Sequence, residues 1–195
     1  MDLSSGAVTL EFGAANAGDE VTDLQWNFGK HVVGSVLSRP GTVWWGWTAT
    51  PAVQQLSVEG EFLRDFEGEL PWFPEILQMP DRSRDPPETR LTGLALDAND
   101  NLWMTVMTAD PEWEDVPLVQ ARIGFEISPG HDDEYFDTRL DVLSLRKRRH
   151  LGRSVWDPLA VSLLDHGGEP AAYLLEYDDA MVPQIVVYGV RTGRR

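Results

Sequence analysis

"LTGLALDANDNLWMTV", Leu91 to Val106, is the stretch on which the reading of the whole chain turns. In its first half Thr92, Leu94 and Leu96 fall on one side; in its second, Leu102, Met104 and Val106 alternate against Trp103, Thr105 and Met107. That period of two is what an extended strand imposes on side-chain direction. Between the halves, "ANDN" supplies residues that cap their own backbone and tolerate positive φ, as a tight antiparallel connection requires. The stretch predicts a β-hairpin.

Working outward, the same pattern recurs. "VVGSVLSRPGTVWWGW" predicts a strand from His31 to about Leu37, a turn at Ser38 to Gly41, and a return through Val43 to Trp47. "VQQLSV" and "EFLRDF" flank Glu59-Gly60, read as a two-residue loop with glycine where φ must be positive. After the central hairpin come "DTRLDVLSL" and "RHLGRSV"; from Leu159, "LAVSLLDHGGEPAAYLLEY" breaks at "DHGGEP", resumes, and turns at "DDAMVP" into "QIVVYGV". Two segments interrupt the rhythm, Glu67 to Arg90 and Ala109 to Glu134, proline-rich or acidic and too polar for core strands. Groups of about four strands with turn punctuation read as β-propeller blades, each a four-stranded antiparallel sheet.

Composition supports an ordered β protein. The 195 residues are 42% hydrophobic and include eight tryptophans and seven phenylalanines, enough large apolar surface for a real core. The formal net charge of −16 repels phosphate backbones and anionic lipid, so nucleic acid is excluded as a natural partner. With no cysteine there is no disulfide framework, thiolate metal site or cysteine nucleophile. "MDLSSGAVTLEFG" carries neither a basic n-region nor an apolar h-region, so no signal peptide or membrane span is visible, and the compartment stays open.

With those residues in view, the chain resembles six-bladed β-propellers of the NHL and gluconolactonase-like kind. "LTGLALDANDNLWMTV" is similar to their inner hairpin and "SVEGEFLRDF" to their outer one. "AAYLLEYDDAMVPQIVVYGVR" resembles the final blade, and "ELPWFPEILQMPDRSRDPP" an inter-blade insertion, of bacterial six-bladed propeller proteins, of which this chain resembles the C-terminal half. The resemblance spans Val8 to Arg191 and implies export if a leader precedes Met1. Where that pattern usually has glycine in the hairpin, this chain has Asp100, a residue type that tolerates the left-handed region at some cost.

The expected fold is therefore all-β, about three blades: residues 31–66, 91–155 and 159–191, with 8–13 as an outer strand of a preceding or partner blade. Propellers close with four to eight blades. Three readings follow: a fragment of a longer protein, two copies pairing as a homodimer that completes a six-bladed ring, or an open arc, which would expose apolar faces and is least favoured.

Chemistry is sparser. "DANDN", with Asp97, Asn99, Asp100 and Asn101, spaces oxygen ligands as calcium loops do, but lacks their glycine and distal glutamate; a self-capping turn is the simpler reading. "HDDEYFD", His131 to Asp137, sets four carboxylates and an imidazole together. Such a cluster could hold a hard divalent cation, Ca²⁺ among them, or raise a carboxylate pKa and make a general base; more commonly it is a solvated loop. "PEWEDVP" has similar character. His31, His131, His150 and His166 show no paired metal spacing, and there is no nucleophile elbow or phosphate loop. "LRKRRH" reads as an exposed basic turn. In "VWWGW", Trp45 and Trp47 share a face expected to pack between blades, with Trp44 opposite. Trp72, Phe73 and Trp113 in the insertions, with His131, Asp132 and Asp133, are the candidate ligand-binding residues; no catalytic residue is assigned. The gluconolactonase resemblance implies a metal bound by Glu, Asn and Asp of different blades, but no position here matches those ligands one by one. The expected role is non-catalytic binding or scaffolding of a protein, peptide or carbohydrate ligand; the alternative is a metal-dependent hydrolase of the lactonase type, with carboxylates at the channel mouth.

Overall fold

The computed structural model describes residues 32–33, 42–47, 53–65, 85–121, 125–128, 130–157, 159–166, 169–177 and 182–190. The expected strand at 8–13, the turn at 38–41, and Trp72 and Phe73 lie outside them.

The fold is all-β, built of separate antiparallel sheets, none closed. The first sheet runs in sequence order through β1 (Val32–Val33), β2 (Thr42–Trp47), β3 (Val53–Ser57) and β4 (Phe62–Asp65). The second comprises β5 (Arg90–Leu96), β6 (Asn101–Ala109), β9 (Phe136–Ser144) and β10 (Arg149–Trp156). Between β6 and β9 stand a two-stranded hairpin, β7 (Leu118–Gln120) with β8 (Phe125–Ile127), and one helical turn, α1 (Asp132–Tyr135). The third sheet has β11 (Ala160–His166), β12 (Glu169–Tyr177) and β13 (Pro183–Gly189). The 109–134 insertion thus carries short strands of its own, outside the main sheets.

Two hairpins are built alike. Ser57 N–H donates to the Glu61 carbonyl and Gly60 N–H to the Ser57 carbonyl; Asp97 N–H donates to Asn101 and Asp100 N–H to Asp97 in the same pattern. Each is a three-residue loop, a turn followed by one left-handed residue, so the expected two-residue connection at Glu59-Gly60 is corrected by one residue. The left-handed position is Gly60 at φ 88° in one and Asp100 at φ 60° in the other. The residue preceding each loop caps it: Ser57 Oγ accepts from Glu59 and Glu61 N–H, Asp97 Oδ1 from Asn99 and Asn101 N–H. Since Gly60 already fills the corresponding position, Asp100→Gly is expected to leave the melting temperature unchanged or raise it slightly. A clear fall would mean that the aspartate side chain stabilises the turn.

The sheets pack through their faces. Trp44, fully buried, and Val53 join Leu94, Leu96, Leu102, Met104 and Leu143 in one apolar cluster that continues into Ala160, Leu163 and Leu174 of the third sheet. Trp45 is buried on the opposite face of β2, outside that cluster. Trp44, on the face opposite Trp45 as expected, packs against the second sheet, with Arg64 stacked over its ring at 5.1 Å and held by Gln55. Alternation separates the two faces but does not say which meets a neighbour when both are buried. On β5 a bulge between Leu91 and Gly93 interrupts the expected alternation and places Gly93 against Ser162 and Leu163 of β11. Ala160 N–H donates to Thr138 Oγ1 across the same junction at 2.6 Å.

Candidate acidic pocket

Strands β6 and β10 end, and β9 begins, at one edge of the second sheet. The register therefore brings Asp110, just beyond β6, Asp137, at the start of β9, and Asp157, just beyond β10, to one place. Their carboxylate oxygens lie within 4.8 Å of one another. Asp137 is buried, Asp110 half-buried and Asp157 exposed. The insertion folds over this end: a 3₁₀ turn at Trp113–Asp115 and α1 meet where Trp113 packs edge-on against Tyr135, with ring centres 6.2 Å apart. The cavity so formed, about 340 Å³, is lined by Asp110, Glu112, Asp115, Asp133, Glu134 and Asp157, with Val116 as its apolar wall.

Electrostatics here are unfavourable for three bare carboxylates. Burial, the charges of Asp110 and Asp157, and a side-chain hydrogen bond shared with Asp110 push the Asp137 carboxyl from 3.8 up to about 6. Asp110 Oδ1 accepts the Glu112 N–H; among the described residues Asp137 has no donor except a proton shared with Asp110, and no basic side chain pairs with any of the three. Because the folded pKa lies above the unfolded one, the protonated group stabilises the fold fully below about pH 3.8, and this contribution is lost as pH rises through about 6. In a metal-chelating buffer, the stability of the wild type relative to Asp137→Asn is expected to fall by on the order of 2 kcal/mol between pH 4 and 7. A flat difference across that window in urea denaturation would contradict this placement of Asp137.

The sequence-predicted candidates are only partly brought together. Asp133 lines the cavity and Trp113 packs beside it on Tyr135. His131 Nδ1 instead pairs with Glu134 Oε2 at 2.8 Å, and Asp132 is exposed on α1 outside the cavity lining. Asp110 and Asp157 were not singled out, because nothing in linear sequence links three carboxylates that meet only through strand pairing. Asp137 does belong to the flagged "HDDEYFD".

The calcium-like "DANDN" is a capped turn. Asp97 accepts from Asn99 and Asn101 N–H, Asn101 Nδ2 and the Trp103 indole N–H. Burial works against its ionisation, but those bonds outweigh it and hold the carboxyl below the usual value. With its carboxylate so occupied, Asp97 serves the hairpin.

A second polar cluster, also absent from the sequence expectations, is structural. Asp141, fully buried on β9, accepts from Arg139 Nε at 2.8 Å and Arg153 Nε at 3.2 Å, and meets His150 Nε2 at 3.0 Å. The signal was available in "DTRLDVLSL", where alternation puts Arg139 and Asp141 on the same face as Leu143. His150 is thus held by a buried carboxylate, while the basic residues Arg146 to Arg148 form the exposed turn the sequence suggested.

Fold and site together define an all-β protein of stacked antiparallel sheets with an acidic cavity at one end of its central sheet. No family model and no curated protein sequence matches the chain. Among the described residues no helix is long and apolar enough to cross a membrane.

Proposed function

We propose that this chain is a non-catalytic binding module made of β-propeller blades, about half of a six-bladed ring, whose ligand-binding end is the 110–135 insertion and whose acidic cavity seats a divalent cation. The propeller reading is supported by sheets that each take their strands in sequence order and by the packing of β5 against β11 between successive sheets. The cation reading rests on one observation: three strand ends deliver three carboxylates within 4.8 Å, one of them nine-tenths buried and without a donor beyond its acidic neighbour. A buried carboxylate in that position requires a proton or a cation. All-oxygen donors select hard ions, and a roomy, irregular cluster suits calcium, which accepts six to eight oxygens, better than the strict octahedron of magnesium.

The test is thermal melting of the intact chain in calcium against chelator at pH 7.5. At a hundredfold excess over Kd, binding to the native state adds about 2.7 kcal/mol, a rise of roughly 5–10 °C for a chain of this size. Asp137→Asn and Asp157→Asn should abolish the rise while melting normally in chelator. An unchanged melt, or a rise that persists in both variants, would reject the cation site.

The alternative, a metal-dependent hydrolase of the lactonase type, is favoured by one feature: the Asp137 carboxyl, pushed up to about 6, lies in the range useful to a general base near neutral pH. Calcium-dependent opening of simple lactones, lost in Asp137→Asn, would move the assignment from binder to enzyme. Capture of a peptide or glycan without turnover would keep it where it stands.

A further inference from the structure

The outer strands of the first two sheets are guarded against pairing. β4 is four residues long and carries Arg64 and Asp65; β10 carries Arg149 and Arg153 and is broken by a bulge between His150 and Gly152. Short length, charge and bulges are how natural sheets blunt an open edge. β13 has none of these. Its seven residues, PQIVVYG, carry no charge, pair with β12 in unbroken register, and have no partner strand on the other side among the described residues. Ile185, Val187 and Tyr188 are 70, 55 and 47% exposed.

The backbone direction of this edge follows from one bond. Val190 N–H donates to the Pro170 carbonyl, so the pair 170/190 is of the hydrogen-bonded kind. In an antiparallel ladder the kind alternates. Residues 188, 186 and 184 therefore turn their backbone groups toward β12, and 185, 187 and 189 turn theirs outward.

We propose that β13 is a self-association edge, pairing antiparallel with β13 of a second copy about a two-fold axis at Val186. In that register Ile185 faces Val187 and Gln184 faces Tyr188. The outward-turned residues 185 and 187 of each copy meet as hydrogen-bonded pairs, and Pro183, which lacks an N–H, needs only to accept from the partner's Gly189. The strand is thus complementary to itself, as an isologous contact demands. Two chains of net charge −16 repel across their acidic faces, which restricts where a second copy can approach, and β13 offers it a strip with no charged side chain. The contact joins sheets edge to edge, unlike the face-to-face closure of a ring, and does not depend on the acidic cavity.

Sedimentation across a concentration series should show the mass doubling from 21.9 kDa, at lower protein concentration when salt screens the repulsion. Val187→Pro removes an outward N–H without breaking the β12 ladder, and Ile185→Lys places a charge on each copy's edge. Both should sediment as monomers at every concentration with unchanged circular dichroism. A wild type that stays monomeric at its solubility limit in high salt, or a dimer that survives Ile185→Lys, overturns the proposal. Should Val187→Pro itself unfold, the outward direction assigned to that N–H is wrong and the register falls with it.

Discussion

Asp141→Ala is expected to cost about 3–5 kcal/mol of folding stability, seen as a drop in melting temperature on the order of 10 °C or more. The carboxylate it removes is fully buried and gathers Arg139, Arg153 and His150. Arg139 is itself nine-tenths buried, and burial already disfavours its charge, lowering its pKa against the opposing pull of Asp141. Without the carboxylate, a guanidinium remains in a low-dielectric setting with its counter-charge gone, and that desolvation cost is what the measurement reads. Asp141→Asn keeps the volume and one acceptor but not the charge, and should fall between wild type and alanine. A loss below about 1 kcal/mol for Asp141→Ala would show that Arg139 and Arg153 redistribute to other partners without penalty.

Gly93→Val is the second large effect. A Cβ at residue 93 would lie 2.6 Å from both Ser162 Oγ and Thr105 Oγ1 and in steric overlap with the Leu163 backbone nitrogen. The two hydroxyls could rotate away; the backbone of β11 cannot move without opening the seam between the second and third sheets. Overpacking of this kind typically costs about 1–3 kcal/mol and sometimes more. Gly93→Ala should reach the upper part of that range and Gly93→Val exceed it. Gly152 is the control, since a Cβ there meets nothing within 4 Å: Gly152→Ala should melt within a degree or two of wild type or slightly above it. If Gly93→Ala were equally silent, the close approach of β5 and β11 would be disproved.

Where local chemistry decides structure, the sequence was legible. The alternation of Leu102 to Val106 and the capping residues of "DAND" dictate a strand and its turn, and the structure has both, down to Asp100 at positive φ. All-β architecture followed from repetition of that logic. Packing between sheets was less legible. Trp44 and Trp45 are both buried, and an alternating pattern cannot rank two apolar faces. The carboxylate cluster beside the acidic cavity was least legible, because Asp110, Asp137 and Asp157 are assembled by the pairing of β6 with β9 and of β9 with β10, a fact about register that no linear motif encodes. "HDDEYFD" pointed to the region and to Asp133, but the carboxylate it buries is Asp137, beyond His131 and Asp132.

The nine residue pairs that join β6 to β9 run without interruption, although residues 110–135 come between the two strands in sequence. Closing a loop costs entropy only logarithmically in its length, about 0.6 kcal/mol per doubling, so the ladder is nearly indifferent to how much sequence is spliced in. The junction is accordingly a graft point: its contents can be lengthened, exchanged or rewritten by evolution or by an engineer, while the strands on either side go on pairing as before.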